Sequence, residues 1–332
     1  MMAQKPFGRS GLWVTPLGLG LAALGRPGYI NLGHAADLEG EYDPVAMEAR
    51  AHALLDAAWR AGVRYFDVAR SYGRAEAFLS AWLRARQLRP EQVTVGSKWG
   101  YMYTAGWQVE TAEHEIKEHS LAVLERQLAE SRAWLGDQLD LYQIHSATLA
   151  SGVLEKRPLL AALGRLRDQG LVIGLSLSGP DQAETLRRAL AVEVDGRPLF
   201  GGVQATWNLL EPSAGPALAE AHQAGLGVIV KEALANGRLT ARNSELAFAP
   251  KRRLLEEAAA GLGATVDALA LAAGLAQPWA DVVLSGAATL EQLASNLGAL
   301  DLGWDAALAA RVAPLVEPPA GYWARRAELA WN

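Results

Sequence analysis

The sequence predicts an α/β fold, a single-domain (β/α)8 TIM barrel that spans residues 1–332 and begins with an N-terminal β-hairpin. Short β-rich runs alternate with longer segments of helical periodicity, and eight such runs can be counted. Alternation of this kind indicates parallel βαβ pairing, and eight units is the number at which a sheet closes into a barrel. No Pro/Ser-rich linker interrupts the series, and 51% hydrophobic residues provide a large core.

The eight candidate strands share a β-rich, mostly apolar composition. They are "VTPLGLGLAAL" near 14, "RYFDVA" near 64, "VTVGSKW" near 93, "LDLYQIHS" near 139, "VIGLSLS" near 172, "GGVQATW" near 201, "LGVIVKEA" near 226 and "DVVLSGA" near 281. The segments between them carry apolar residues at helical spacing and close on Gly or Pro, for example "AMEARAHALLDAAWRAG", "SLAVLERQLAESRAWLG" and "RRLLEEAAAGLGATVDALALAAGLA".

An open, doubly wound sheet is the alternative architecture. The stretch "GLGLAA" at residues 18–23 resembles the G-x-G-x-x-G/A fingerprint that binds dinucleotides in such sheets. In that fingerprint the last residues open a helix. Here Leu24 leads into "GRPGYINLG", in which Pro27 and the glycines cannot begin a helix, so the barrel is favoured.

Composition argues against several classes of partner. The chain has 31 basic and 36 acidic residues, a net charge of −5 without long runs of one sign, which does not suit binding to nucleic acid or anionic membranes. It has no cysteine, so thiolate chemistry and disulfides are excluded. The N-terminal residues lack the apolar core of a signal peptide, and no run approaches about 18 apolar residues. A cytoplasmic location is expected.

Four residues that can carry chemistry stand near the ends of consecutive predicted strands. Asp67 ends the second strand, Tyr72 follows in its loop, Lys98 ends the third strand and His145 ends the fourth. Taken singly, such residues are often helix caps, snorkelling lysines or core histidines. Barrel enzymes place their active sites at the C-terminal ends of the strands, so the four together indicate a catalytic site.

The chemistry of these residue types is mutually consistent. A tyrosine has a pKa of about 10, and a neighbouring ammonium such as that of Lys98 is expected to lower this pKa and make Tyr72 a better general acid. Asp67 would pair with Lys98, and His145 would orient a substrate oxygen by hydrogen bonding. This arrangement suits protonation of a carbonyl oxygen while hydride reaches the carbonyl carbon.

With these four residues and the motifs around them, the sequence resembles the aldo-keto reductases over nearly the whole chain. The stretches that carry the resemblance are, in order, "YFDVARSYG", "VGSKWG", "LGDQLDLYQIH", "GLSLSG", "VQATWN" and "VLSGAATLEQLASNLGAL". The resemblance implies a barrel that binds NADP(H), or less often NAD(H), without a Rossmann domain and reversibly reduces small aldehydes or ketones to alcohols. It also implies the catalytic tetrad Asp67, Tyr72, Lys98 and His145, with Tyr72 as proton donor.

The resemblance further implies a set of cofactor-binding positions, two on the first predicted strand and the others on or after the later strands. They are Gly20, Leu21, Ser176, Gln204, Lys231, Leu234, Gly237, Arg238, Leu239, Gly286, Thr289, Gln292 and Asn296. Lys231 stands where the family usually has an aromatic residue that stacks on the nicotinamide. Ala288 stands where a basic residue often neutralises the 2′-phosphate, which weakens the case for strict NADP preference. Arg238 would then compensate, and NADP(H) is expected in preference to NAD(H).

The remaining features leave the substrate open. Trp99 and Trp207 are expected to line an apolar pocket at the mouth, and residues 26–44 are similar to a long loop of members related to aldose 1-dehydrogenases. "HEIKEH" at residues 114–119 resembles a zinc motif, but its histidines are five apart, so a solvated helix start is expected and no metal site.

The sequence leaves two other functions open. One is a non-catalytic subunit that senses nicotinamide nucleotides on the same barrel. The other is a hydrolase that uses paired carboxylates, with Asp67 and Glu232 as candidates.

Overall fold

The computed structural model describes residues 2–332, in which eight parallel strands form a closed barrel. The strands in chain order are β1 Lys5–Pro6, β2 Trp13–Val14, β3 Leu17–Gly20, β4 Tyr65–Asp67, β5 Thr94–Trp99, β6 Tyr101–Tyr103, β7 Glu115–Lys117, β8 Leu139–Ala147, β9 Val172–Leu177, β10 Glu193–Val194, β11 Arg197–Pro198, β12 Gly202–Thr206, β13 Gly227–Lys231 and β14 Val282–Ser285. The barrel runs β3, β4, β5, β8, β9, β12, β13 and β14, and β14 closes on β3. These are the eight strands that the sequence predicts, so the (β/α)8 fold is confirmed.

Helices surround this barrel. They are α1 His34–Asp37, α2 Pro44–Ala61, α3 Ala75–Ala85, α4 Leu121–Leu135, α5 Arg157–Asp168, α6 Gln182–Leu190, α7 Gly215–Ala224, α8 Ala249–Ala260, α9 Val266–Leu275, α10 Leu290–Leu297, α11 Ala306–Val312 and α12 Pro319–Ala327. Within residues 2–332, none of them combines the length and the apolar character that a membrane span requires.

Helix α2 illustrates how local sequence sets the element boundaries. The side chain of Asp43 accepts hydrogen bonds from the backbone N–H groups of Val45 and Ala46, and Pro44 occupies the first turn, where a missing N–H does no harm. The helix ends at Gly62, whose φ of 98° is a left-handed conformation that glycine adopts readily. The predicted segment at residues 46–62 is therefore confirmed as a helix.

The predicted N-terminal β-hairpin is also confirmed, and it closes the amino end of the barrel. Lys5 pairs with Val14, and the connecting loop inserts Phe7, which is fully buried, below the strands. Phe7 packs in a cluster with Tyr65, Leu141, Ile229 and Val282, all from barrel strands. The cluster thus seals the end of the barrel opposite to the strand ends that carry the site.

The stretch "HEIKEH" is not a helix start, so that expectation is wrong. Glu115–Lys117 form β7, which pairs antiparallel with Tyr101–Tyr103. The partner strand lies more than ten residues earlier in the chain, and pairing with it decides the conformation of a segment whose local pattern is ambiguous. This β6–β7 hairpin stands beside the mouth of the barrel and brings Glu115 to the cavity described below.

The Phe7 cluster at the amino end of the barrel leads to a prediction about stability. Phe7→Ala is expected to lower the free energy of unfolding by about 3–5 kcal/mol, because it leaves a cavity beneath the strands. Trp13→Ala is the matched control, since this hairpin side chain is 55% exposed and its loss is expected to change stability by about 0.5 kcal/mol at most. Urea unfolding of the two variants measures both values, and equal effects would contradict a plugging role for Phe7.

Candidate active site

The mouth of the barrel contains a buried ion pair between Lys98 of β5 and Asp67 of β4. Lys98 is 0% exposed and Asp67 2% exposed, and the Lys98 ammonium contacts Asp67 Oδ1 directly. Lys98 Nζ also donates to the carbonyl oxygen of Val68 at 3.1 Å, while Asp67 Oδ2 accepts from Gln204 Nε2 at 2.8 Å. These extra hydrogen bonds compensate for the removal of both charges from water.

Tyr72 lies next to this pair and to His145. Its ring centre is 4.8 Å from Lys98 Nζ and 5.6 Å from the ring centre of His145, with the two rings at 82°. Burial raises the pKa of the Tyr72 phenol well above 10, and the negative charge of Asp67 raises it further. The expectation that Lys98 lowers this pKa is therefore wrong, because the charge of Lys98 is matched by the carboxylate that it touches.

His145 is held as a neutral imidazole. Burial lowers its pKa well below 6.5, and the positive charges of Lys98 and Lys231 lower it further. Its Nδ1 lies 3.4 Å from Ser71 Oγ, and its ring packs 4.9 Å from the ring of Tyr101. A neutral imidazole beside a neutral phenol can donate one hydrogen bond to a substrate oxygen without adding charge to the site.

A cavity of about 580 Å³ extends from these residues across the mouth to the start of α10. Tyr72, His145 and Asp67 lie on its wall at one end, and Gly286, Gln292 and Asn296 at the other. The predicted cofactor residues on this wall are Gly20, Gln204, Lys231, Leu234, Gly237, Gly286, Gln292 and Asn296. The cavity is of a size that holds cofactors and drug-sized ligands, and a side chain at Gly286 would meet no atom within 4 Å. These features fit an elongated nucleotide.

The other predicted cofactor residues do not line the cavity: Leu21, Ser176, Arg238, Leu239 and Thr289. Leu21 and Leu239 are fully buried, and the Ser176 hydroxyl accepts from the backbone N–H of Ser146 at 2.8 Å. Thr289 caps α10 by accepting from the Gln292 N–H. Arg238 donates to Glu317 through both terminal nitrogens, at 3.0 and 2.7 Å, so it is not free to compensate for Ala288.

Trp99 and Trp207 do not line the cavity, contrary to the expectation. Side chains alternate between the two faces of a strand, so Trp99 points out of the barrel where Lys98 points in. Trp99 is fully buried and packs against His119, with ring centres 5.7 Å apart. Trp207 follows β12 and packs against Trp279 at 5.8 Å. Both tryptophans therefore belong to the core between the barrel and its outer layer.

Lys231 ends β13 in a network of polar contacts on the cavity wall. Its Nζ donates to Thr206 Oγ1 at 2.9 Å and lies 3.6 Å from Glu232 Oε1. Burial lowers the pKa of Lys231 to about 8. Burial alone would raise the pKa of Glu232, but Arg326 and Lys231 lower it to about 2. Because Arg326 contacts both oxygens of Glu232, this carboxylate is not available to pair with Asp67 in a hydrolase mechanism.

Among the cavity residues that the sequence does not mark as site residues are Arg26, Tyr29, Glu115, Arg326 and Trp331. Arg26 and Tyr29 follow β3, and the loops after barrel strands are where such sites lie, so their position was the one signal available. The other three come from the β6–β7 hairpin and from the chain beyond the last barrel strand. No motif in the sequence assigns these three residues to this site, and folding brings them to the cavity.

Comparison with known proteins gives one family. The Aldo/keto reductase family model matches residues 17–316. Pyridoxal 4-dehydrogenase of Microbacterium luteolum is 30% identical over 217 residues, which cover 56% of this chain and 58% of that protein. The chain thus aligns with little more than half the length of that relative. The uncharacterized oxidoreductase YqkF of Bacillus subtilis (strain 168) is 24% identical over 321 residues, which cover 90% of this chain and 91% of that one.

The fold is shared with solved structures. The holo form of aldo-keto reductase AKR11C1 from Bacillus halodurans superposes with a TM-score of 0.72 at 20% identity. The superposition covers 96% of this chain and 97% of the other. At this identity the similarity establishes the barrel and its connections.

The buried ion pair leads to a prediction about stability. Lys98→Met is expected to lower the free energy of unfolding by about 3–5 kcal/mol, because it leaves the Asp67 carboxylate buried without a cation. The double variant Asp67→Asn/Lys98→Met removes both charges and is expected to recover part of this loss. Urea unfolding of the single and double variants measures the difference. A double variant less stable than Lys98→Met would contradict this account of the pair.

Proposed function

This chain belongs to the aldo/keto reductase family and is thus an oxidoreductase of carbonyl compounds, and from that premise we propose an NAD(P)(H)-dependent reaction with Tyr72 as general acid and base. Reduction converts an aldehyde or ketone to an alcohol, and the reverse reaction oxidises an alcohol. The observation that carries the proposal is the juxtaposition of Tyr72 and His145 with the buried Lys98–Asp67 pair at one end of a long cavity.

In this mechanism the protein residues handle the proton and the substrate oxygen. A bound reduced nicotinamide would supply hydride to the carbonyl carbon. Tyr72, a neutral phenol because of its raised pKa, gives its proton to the carbonyl oxygen. His145 donates a hydrogen bond to the same oxygen and orients it. The phenolate that remains lies next to the buried Lys98–Asp67 pair, with the Lys98 ammonium 4.8 Å from the centre of the Tyr72 ring.

Several of the residues on the cavity wall would hold the cofactor. Gly20, Gln204 and Lys231 would contact its nicotinamide half, while Gly286, Gln292 and Asn296 would contact its adenosine half. The amide of Gln204 is already oriented by its bond to Asp67. The hydroxyl of Ser285 donates to the Asn296 side-chain oxygen at 2.8 Å, which fixes the orientation of that side chain.

The preference for NADP(H) over NAD(H) depends on a cation near the adenosine half. Ala288 has no charge, and the Arg238 side chain is paired with Glu317 and only 7% exposed, whereas that of Arg242 is 40% exposed. Arg242 does line the cavity, and it contacts Asp37, whose Oδ1 also accepts from Gln292 Nε2 at 2.8 Å. Arg242 is therefore close to the predicted adenosine residues, and we assign to it the recognition of a 2′-phosphate.

Arg242→Ala tests this assignment directly. The affinity for NADPH is expected to fall about tenfold or more, since a charge-assisted hydrogen bond contributes about 1.5–3 kcal/mol. The affinity for NADH is expected to change by less than about twofold, because Gln292 keeps its bond to Asp37. Fluorescence titration of both nucleotides measures the two constants without turnover. Equal losses for NADPH and NADH would show that Arg242 does not read the 2′-phosphate.

The substrate is the least determined part of the proposal. Aromatic rings and charged groups share the wall near Tyr72, including Tyr29, Tyr101 and Trp331 with Arg26 and Glu115. Such a wall suits a planar, polar carbonyl compound. One relative is a pyridoxal 4-dehydrogenase, so pyridoxal belongs in a substrate panel beside simple aldehydes, ketones and sugars.

Tyr72→Phe tests the general acid. With the best substrate of the panel, turnover is expected to fall by about 10²–10⁴-fold while cofactor affinity stays close to that of the unmodified protein. Tyr103→Phe is the control, because Tyr103 lies outside the cavity wall, and its turnover is expected within about twofold. Oxidation of NADPH or NADH, followed by absorbance, gives the rates. Cofactor binding without turnover on any substrate would instead favour a nucleotide-sensing protein.

A further inference from the structure

Arg26 is a buried cation that lies against the ring of Tyr72. Its side chain is on the loop after β3 and is 3% exposed. Its guanidinium carbon lies 5.3 Å from the ring centre of Tyr72, 5.3 Å from that of Tyr29 and 4.8 Å from that of Trp331. A guanidinium enclosed by aromatic rings and removed from water is attracted to their faces.

Hydrogen bonds fix Arg26 in this position from two sides. Its Nη1 donates to the carbonyl oxygen of Ser71 at 3.0 Å, which ties it to the turn that carries Tyr72. The same nitrogen forms an ion pair with Glu115 of β7. Gly25 contributes by close approach, because a side chain there would lie 2.2 Å from the Tyr72 carbonyl oxygen. The loop after β3 is therefore packed directly on the loop after β4.

Six segments of the chain place titratable groups around Tyr72. They are Asp67 on β4, Lys98 on β5, His145 on β8, Arg26 after β3, Glu115 on β7 and Glu232 after β13. Lys98 and Asp67 form a pair, Glu232 is paired with Arg326, and His145 is neutral. Among the charges that act most strongly on the phenol, the carboxylates of Asp67, Glu115 and Glu232 raise its pKa and the Arg26 cation lowers it.

We propose that Arg26 is a positioning residue for Tyr72, whose guanidinium holds the phenol ring in place and stabilises the negative charge on its oxygen after proton transfer. Glu115 anchors Arg26 and partly opposes its charge. The inference rests on the proposed role of Tyr72 as proton donor. During reduction the Tyr72 O–H bond breaks, its electron pair stays on the phenolate oxygen, and the proton forms the O–H bond of the alcohol. Oxidation reverses this step, so it begins from the phenolate.

The two partners of the ion pair provide a matched test. Arg26→Gln and Glu115→Gln both break the same pair, so a purely structural role would change the two variants in the same direction. If Arg26 acts on the phenolate, oxidation at a pH below the Tyr72 pKa slows about three- to tenfold in Arg26→Gln, because less phenolate is present. In Glu115→Gln the same rate rises by a similar factor, since an opposing charge is removed.

The pH profile of the oxidation rate shows whether each variant raises or lowers the Tyr72 pKa, and it does so independently of absolute rates. The pH at which the oxidation rate rises is expected to be higher in Arg26→Gln and lower in Glu115→Gln, because oxidation starts from the phenolate. Arg26→Lys keeps the positive charge and is expected to restore part of the change. Shifts of the same sign in the two glutamine variants, or no shift in Glu115→Gln, would overturn the proposal. If Arg26→Gln does not fold, Glu115→Gln and Arg26→Lys still decide it.

A readout without turnover separates this inference from the proposed function. Placing 3,5-difluorotyrosine at position 72 makes the phenol more acidic, and its ¹⁹F shift then reports ionisation during a pH titration. The midpoint is expected to rise with Arg26→Gln and to fall with Glu115→Gln. Opposite shifts in a protein that reduces no carbonyl compound would support Arg26 and refute the proposed reaction. Parallel shifts would refute the role of Arg26 whatever the activity.

Discussion

The buried pair of Lys98 and Asp67 is the interaction on which the mouth of this barrel depends. Two charges that lie almost completely out of water are stable together and unstable apart, so β4 and β5 must keep their register. Gln204 from β12 and Tyr65 from β4 donate to the same carboxylate oxygen, at 2.8 and 3.3 Å, so the pair also links the far side of the barrel. Tyr72 and His145 take their positions relative to this fixed group.

The wall near Tyr72 is assembled from segments that are distant in the chain. The loop after β3, the β6–β7 hairpin and the last residues of the chain meet there, and Tyr29 and Asn332 exchange two backbone hydrogen bonds at 3.1 and 3.2 Å. Most charges on this wall are paired, as Arg26 with Glu115 and Arg326 with Glu232. Such pairing lets a low-dielectric cavity hold many charged groups and still leave Tyr72 as a neutral proton donor.

Sequence reasoning succeeded where the signal was local or periodic. All eight barrel strands were found from their composition and spacing, and Asp67, Tyr72, Lys98 and His145 were grouped because strand ends converge in a barrel. The expectation that Trp99 lines the cavity conflicts with the strand period of two, because the same alternation that directs Lys98 inward directs Trp99 outward. The strand at Glu115–Lys117 could not be predicted from the local sequence, because the strand with which it pairs lies elsewhere in the chain.

The sequence by itself therefore determined the closed barrel, the end of it that carries the site, and the residues at the strand ends, because these follow from patterns along neighbouring residues. Only the tertiary structure decided the electrostatics. The pKa of Tyr72 depends on burial and on which charges are already matched, so Lys98, close in space but paired with Asp67, does not lower it as expected. Arg26 reaches the Tyr72 ring, and Glu115 and Trp331 reach Arg26, only through folding, since no local pattern relates these residues to one another.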